Sequence, residues 1–325
     1  MSTLLALVIL LIVAIDAALI WAWLRTRRLA REAEAAVPRA GQMQAVTGGA
    51  IHYVESGPEG APPVVLIHGL GGQLQHMTYG LAPLLARDFR VIALDRPGCG
   101  WSERDGEGRA SLAEQARMIA EFLEARGTGP ATVVGHSLGG AVALALALNH
   151  PERVAALALL CPLTHPEPAT PPVFRGLDVR TPGFRKFLAH TVSAPMAVKM
   201  AETTLNTVFA PEPWPKDFLT RGGGALGLRP KGYIAASEDL AAATPGVAAL
   251  VPRYAELKAP GGVLFGAEDA LLAPRRHGEA LAEAAPGIIA ETLPGRGHMI
   301  PITAPEDCAG FVRRMAAQAR LAPSP

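Results

Sequence analysis

The sequence predicts an α/β protein: a mostly parallel central sheet with helices on both faces, a helical cap insertion, and one transmembrane helix ahead of them. Three observations carry that expectation. From residue 43 onward, short apolar runs alternate with longer helical stretches, the pattern of βαβ units. The run at 63–67 reads PVVLI, continuous rather than alternating, as suits a strand covered on both faces. The first 24 residues stand apart as a nearly unbroken apolar segment.

That segment is the first element. Residues 4–24 read LLALVILLIVAIDAALIWAWL, with Asp16 as their one charge, and about twenty such residues cross the hydrocarbon of a bilayer. Leu, Ile and Val residues at roughly −0.3 to −0.6 kcal/mol each outweigh one Asp at roughly +3 kcal/mol. A cleaved signal peptide fits less well, because no Lys or Arg precedes the run, the run is too long, and no A-x-A site precedes the charges. A buried core helix would show a recurring polar face, and none recurs. Residues 1–24 are therefore expected to be a membrane anchor. Asp16 reads as an off-centre, hydrated or protonated carboxyl, with no second span to supply a partner. Arg25, Arg27, Arg28 and Arg31 follow the span, and only the terminal amine precedes it. Positive residues stay cytoplasmic, so the following domain is expected on that side, with the exported face as the alternative.

Residues 25–42, rich in Ala, Arg and Glu, read as an amphipathic or partly helical juxtamembrane linker. The first part of the core spans 43–161. It opens with a hairpin at 43–55 turned by Gly48-Gly49, followed by the strand at 63–67, a helix at 75–87 and a strand at 90–94. A helix at 111–126 starts on a capping box of Ser111 and Glu114. Then come a strand at 131–135, a helix at 138–149 and a strand at 154–160. From 162 to 244 the alternation breaks down between a proline-crowded start (Pro162, Pro166, Pro168, Pro171, Pro172) and the glycines at 222–224. A compact domain rarely holds a structureless loop of that length, so this segment reads as the cap. Alternation resumes over 245–325, with strands at 262–265 and 288–293 and helices at 274–284 and 305–320. There is no internal repeat.

Composition removes other classes. The 325 residues fit one large domain, and 30 Lys and Arg against 29 Asp and Glu leave a net charge of +1, which is no footprint for nucleic acid. Cys99, Cys161 and Cys308 are far apart and odd in number, forming neither a metal-ligand spacing nor a disulfide framework. They read as buried thiols acting as small hydrophobes.

The chemistry gathers at residues 135–139, Gly-His-Ser-Leu-Gly, a G-x-S-x-G pattern. The bare pattern recurs by chance, but here an apolar strand runs into it and an alanine-rich helix runs out. That setting lifts the Ser137 hydroxyl above the sheet edge on a strained turn whose crowding the glycines relieve. The alternative is a helix cap by Ser137. A serine hydroxyl needs a base to act as nucleophile, and functional groups collect beyond the carboxyl ends of parallel strands. His298 follows the last strand in Gly295-Arg296-Gly297-His298, and Asp269 follows the preceding one in Gly266-Ala267-Glu268-Asp269. The order Ser, Asp, His matches such a site, with Glu268 as the alternative acid. His136 flanks the nucleophile, His150 ends a helix, and His52, His76, His165, His190 and His277 read as exposed or structural.

The motifs LIHGLGG (66–72), DRPGCGWSE (95–103), GHSLGG (135–140), GAEDALLAP (266–274) and GRGHMIP (295–301) stand in an order that resembles the α/β-hydrolase superfamily over residues 43–320. The resemblance implies an α/β-hydrolase fold in which the backbone N–H groups of Leu70 and Leu138 form an oxyanion hole. It implies structural roles for His68, Asp95 and Ser102. The cap would shape the pocket, with most of Phe174, Phe184, Phe187, Met196, Met200, Phe209, Trp214 and Phe218 forming cap core. The implied reaction is hydrolysis of a small-molecule ester through an acyl-enzyme on Ser137, with no metal and no organic cofactor. Carbon–carbon hydrolases and cofactor-free perhydrolases share the fold. Ser137 argues against dehalogenases and epoxide hydrolases, which carry Asp there, and the run Leu70-Gly71-Gly72-Gln73 lacks the proline usual in carbon–carbon hydrolases. A non-catalytic ligand-binding module is the reading from another class.

Overall fold

The computed structural model describes residues 3–106 and 108–321. Its elements run α1 (Thr3–Ala36), β1 (Gln42–Val46), β2 (Gly49–Ser56), β3 (Pro63–Ile67), α2 (Gln75–Thr78), α3 (Leu81–Leu85), β4 (Arg90–Leu94), β5 (Glu103–Arg104), α4 (Leu112–Ala125), β6 (Ala131–His136), α5 (Leu138–Asn149) and β7 (Val154–Leu160). They continue with α6 (Pro182–His190), α7 (Ser193–Phe209), α8 (Pro230–Leu250), β8 (Gly261–Gly266), α9 (Ala280–Ala284), β9 (Ile288–Leu293), α10 (Ile300–Thr303) and α11 (Pro305–Leu321).

The sheet order is β1-β2-β4-β3-β6-β7-β8-β9, with β5 beside β2. The hairpin β1–β2 and the pairs of β2 with β4 and β5 are antiparallel; every pair from β4 to β9 is parallel. Helices α4, α5 and α8 pack together on one face, and α3 with α11 on the other. Covered on both sides, β6 and β8 bury every residue. Helix α5 reads LGGAVALALALN and is buried from Leu138 to Leu148. It is apolar all round because it lies between the sheet and its neighbouring helices, where no face meets water.

Several elements differ from the sequence reading for local reasons. The helix expected at 75–87 is two short helices, α2 and α3, broken where Gly80 turns out of helical geometry (ψ −37 with φ −140). There the backbone lies close to Pro305, 3.0 Å from where a Cβ would sit. The helix expected at 274–284 opens with a wider turn over Arg275–Glu279. Ser111 Oγ accepts the Glu114 N–H at 3.3 Å, but the Glu114 carboxylate turns to Arg109 and Arg117, so half of the capping box forms. No break marks residue 244: α8 runs through it and carries Pro245 within its length. One helix thus leads from above the sheet back onto its face.

At 25–42, read as an amphipathic or partly helical linker, residues 25–36 continue α1 without interruption, as a stretch with high helix propensity and an Arg28–Glu32 pair should. Ala22, Thr26, Leu29, Ala33 and Val37 are buried, packed on α6, α7 and the short turn at Gly224–Leu228. Thr26 Oγ1 donates to Thr191 O, and Arg229 pairs with Glu34 at 3.5 Å. Of the aromatic and methionine side chains expected inside the cap, Phe209 and Phe218 are buried, in a cluster with Met299 and Ile302. Phe184, Phe187, Met196 and Met200 instead face outward from α6 and α7, the helices that seat α1.

Candidate active site

Strand β6 delivers Ser137 at φ 54 and ψ −122. Among the described residues only Ser137 and Cys161 are non-glycines with positive φ, a conformation that surrounding packing must impose. The packing is visible in the glycines. A Cβ at Gly135 would lie 2.5 Å from Gly139 O, and one at Gly139 would lie 2.4 Å from both Ile67 O and His68 O. The elbow is pinned by Ser137 N–H donating to Leu160 O at 3.0 Å and Ser137 O accepting from Gly140 N at 2.9 Å. Among the described residues Ser137 Oγ has no hydrogen-bond partner, and Ser137 lines a cavity together with His298, Leu70 and Leu138.

His298 Nδ1 lies 2.7 Å from Asp269 Oδ2, both side chains nearly or wholly buried. Asp269 Oδ1 accepts from the N–H groups of Leu271 and Leu272 at 2.8 and 3.0 Å. Burial alone would raise the Asp269 carboxyl, but the His298 ring and these hydrogen bonds outweigh it and hold the group below its ordinary value. An ionised Asp269 accepts only, so the proton is assigned to Nδ1, which leaves Nε2 with its lone pair. Glu268, the alternative acid, is exposed.

Two donors complete the constellation. Leu138 is the first residue of α5 and Leu70 follows His68-Gly69 at the end of β3; among the described residues neither N–H has a partner. Both residues line the cavity beside Ser137. The cavity's other walls are largely apolar, with Leu163, Phe174, Leu240, Val247, Leu271 and Leu272. His165, Glu167, Asp178 and Arg180 also line it.

The remaining motif residues hold the scaffold. Asp95 accepts from Leu74 N, Trp101 N and His52 at 2.7–2.8 Å. Ser102 Oγ donates to Asp95 O and accepts His52 N–H, each at 2.7 Å. His68 Nε2 accepts the Arg96 N–H at 2.9 Å, and burial holds its pKa well below the ordinary histidine value. His136, behind the nucleophile, meets His298 O through Nε2 at 3.0 Å, and burial lowers it to about 3.

The contacts of three further residues carried no sequence signal. Glu212 accepts Gly297 N–H at 2.7 Å and so braces the loop of His298 from the cap. His277 accepts Thr164 N–H at 3.1 Å and meets Glu167 at 2.7 Å, fixing that carboxylate at the cavity wall. Cys161 lies near enough to Asp269 and His298 for the three to be weighed as metal ligands. The donor set fits a metal poorly: burial pushes the Cys161 thiol well up, which keeps it protonated, and Asp269 and His298 are committed to each other.

Comparison with known proteins agrees with this architecture. Residues 62–305 match the family model for the alpha/beta hydrolase fold. A dihydrolipoyllysine-residue acetyltransferase component of the acetoin cleaving system from Cupriavidus necator is 42% identical over 122 residues, 38% of this chain and 32% of that protein. The chain thus spans about a third of the length of that curated relative. Among solved structures, a membrane phospholipase A superposes with a TM-score of 0.69 at 25% identity, covering 98% of this chain and 99% of that one. A thermophilic esterase from Thermogutta terrifontis gives 0.67 at 25% identity, covering 86% and 99%.

Proposed function

Because this chain belongs to the α/β-hydrolase family, we propose that it is a membrane-anchored serine hydrolase that cleaves carboxylic esters through an acyl-enzyme on Ser137. The observation that carries the reading is the meeting, at one cavity, of a strained serine, a buried His298–Asp269 pair and two unpartnered N–H groups. Ser137 Oγ attacks the ester carbonyl while His298 Nε2 takes its proton. The carbonyl oxygen, now negative, rests on the N–H groups of Leu70 and Leu138. Removing one such donor typically costs about 10²–10³ in kcat. His298 returns the proton to the departing alcohol as the C–O bond breaks. Water then attacks the acyl-enzyme with His298 again as base, releasing the acid and restoring Ser137. Asp269 holds the ring in the productive tautomer and stabilises the imidazolium.

Lipid-derived esters suit the molecule best. Residues 4–21 of α1 are exposed apart from a half-buried Leu19, and Trp21 and Trp23 precede Arg25, Arg27 and Arg28, as at a membrane–water boundary. The outward Phe184, Phe187, Met196 and Met200 belong to the helices that seat the emerging end of α1. A near full-length likeness to a membrane phospholipase A supports the same substrate class. The flanking arginines favour a cytoplasmic catalytic domain. The reading is tested with a fluorophosphonate probe and p-nitrophenyl esters of graded chain length. Labelling of wild type and not of Ser137→Ala is expected, with kcat for the variant down by about 10⁵–10⁶. A variant retaining a tenth of the activity would remove Ser137 from the role.

A further inference from the structure

The side chain of Arg96 is wholly buried and every arm of its guanidinium is occupied. Nε donates to His68 O and one terminal nitrogen to Gly69 O, both at 2.9 Å. The other terminal nitrogen donates to Gln115 Oε1 at 2.8 Å and to Asp239 Oδ2 at 2.7 Å. Asp239 belongs to α8, is itself buried, and holds Arg104 through its second oxygen at 2.7 Å. The next residues along α8, Leu240 and Ala241, line the cavity that contains Ser137.

We propose that Arg96 is a positioning residue for the oxyanion hole, held in place by Asp239 on the helix that walls the substrate pocket. The inference rests on the serine-hydrolase reading above. In a trans peptide the C=O of one residue and the N–H of the next lie in one plane and point in opposite directions. Fixing Gly69 C=O therefore aims Leu70 N–H, the donor assigned to the hole. Gly69 O also accepts from His68 Nδ1 at 2.9 Å and from Gly72 N–H at 3.3 Å, and the His68 ring is itself held by Arg96, whose backbone N–H donates to its Nε2. Gly71 sits at φ +61 with nothing within 4 Å of where a Cβ would be. A planar fork suits two successive carbonyls in a way that a lysine ammonium does not. Its charge, out of water, needs a fixed countercharge, and Asp239 is the carboxylate in contact with it. A brace serving stability alone could end on any carbonyl. This one ends on the carbonyl that shares its peptide plane with the free donor.

The link runs both ways along α8. A substrate packed against Leu240 and Ala241 presses on the helix that carries Asp239. Pocket filling and the aim of Leu70 N–H are thereby joined through two side chains.

The test uses the full chain and the variants Arg96→Met, Arg96→Lys and Asp239→Asn. It measures ester kinetics and the affinity of a trifluoromethyl ketone, whose serine adduct places a negative oxygen in the hole. Expected is a fall in kcat of about 10- to 100-fold with KM within about twofold, part of the loss seen when a donor is removed outright. Ketone affinity should fall by the same factor as kcat/KM, because both report the stabilised oxyanion. The acid limb of the pH–rate profile should stay in place, since the His298–Asp269 pair is untouched. A brace that acts on stability alone would lower the unfolding temperature and leave folded variants at wild-type kcat. Should Arg96→Met fail to unfold cooperatively, Asp239→Asn, which keeps the volume, and Arg96→Lys, which keeps the charge while losing the fork, decide by the same criteria. Folded variants with unchanged kcat, or with kcat lowered and ketone affinity kept, overturn the inference while the serine-hydrolase reading stands. A wild type inert to both probe and esters overturns both.

Discussion

Placing one methyl group on Gly139 tests whether the helix N-terminus works as part of the reaction site. A Cβ there would lie 2.4 Å from Ile67 O and 2.4 Å from His68 O, about 1 Å inside ordinary contact. Both oxygens belong to the backbone at the end of β3, so neither can swing aside as a side chain would. The first turn of α5 must lift instead, and the adjacent Leu138 N–H lifts with it. Oxyanion donors act over a narrow range of about 2.7–3.1 Å, and losing one costs about 10²–10³ in kcat. Gly139→Ala should therefore lower kcat for a p-nitrophenyl ester by up to that factor. Overpacking of about 1–3 kcal/mol should also lower Tm by several degrees. The matching change at Gly310, inside α11, meets no atom within 4 Å. Gly310→Ala should keep kcat and gain about 0.5–1 kcal/mol of stability. If Gly139→Ala turns over esters at the wild-type rate, the elbow's close packing is not what places the Leu138 donor.

Asp269→Asn should reduce kcat by about 10⁴ by admitting the wrong imidazole tautomer, and Glu268→Gln should leave it nearly intact; the reverse ranking would move the acid to Glu268. Acid should destabilise the fold through His76 and His136, buried neutral rings lowered from 6.5 to about 4 and about 3. The unfolded chain binds those protons first, so the contribution is complete above pH 6.5 and is lost as the pH falls toward 4. His76 alone accounts for a loss on the order of 3 kcal/mol; a Tm that is flat from pH 7 to 4 would contradict this. Protease added to intact cells should spare the hydrolase domain while α1 holds it on the cytoplasmic side, and its digestion from outside with cytoplasmic controls protected would place it on the exported face.

How much of this was legible in the chain depended on the range of the forces involved. The parallel strands and α5 were readable because each advertises its burial locally, as a continuous apolar run. The elbow was readable because its glycines mark the close approaches there, Gly135 to Gly139 and Gly140 within the motif and Gly139 to Ile67 and His68 at the end of β3. Asp269 is the acid the sequence favours over its neighbour Glu268, and the fold turns the first inward to His298 and leaves the second in water. Glu212 was invisible, as were the partners of His277 and Cys161, for a related reason: each acts across a gap of tens of residues or more, between segments whose meeting no local pattern encodes. The outward Phe184, Phe187, Met196 and Met200 were misplaced because hydrophobicity records a preference for leaving water, and it does not distinguish a protein core from another apolar surface.

The seating of α1 carries a consequence for what the N-terminal helix can tolerate. Its buried positions 22, 26, 29 and 33 advance by three or four residues, one stripe along a single helix that Val37, just past its end, continues. The segment before them is apolar but for Asp16 and is exposed apart from a half-buried Leu19. An extra alanine inserted before residue 22 would turn the outer segment by about 100° and lengthen it by about 1.5 Å without moving the stripe. The same insertion between Thr26 and Leu29 would carry half of the stripe off the cap. Phase is therefore free in the first half of the helix and locked in the second, so drift in length and composition is confined to the part that has nothing to register against.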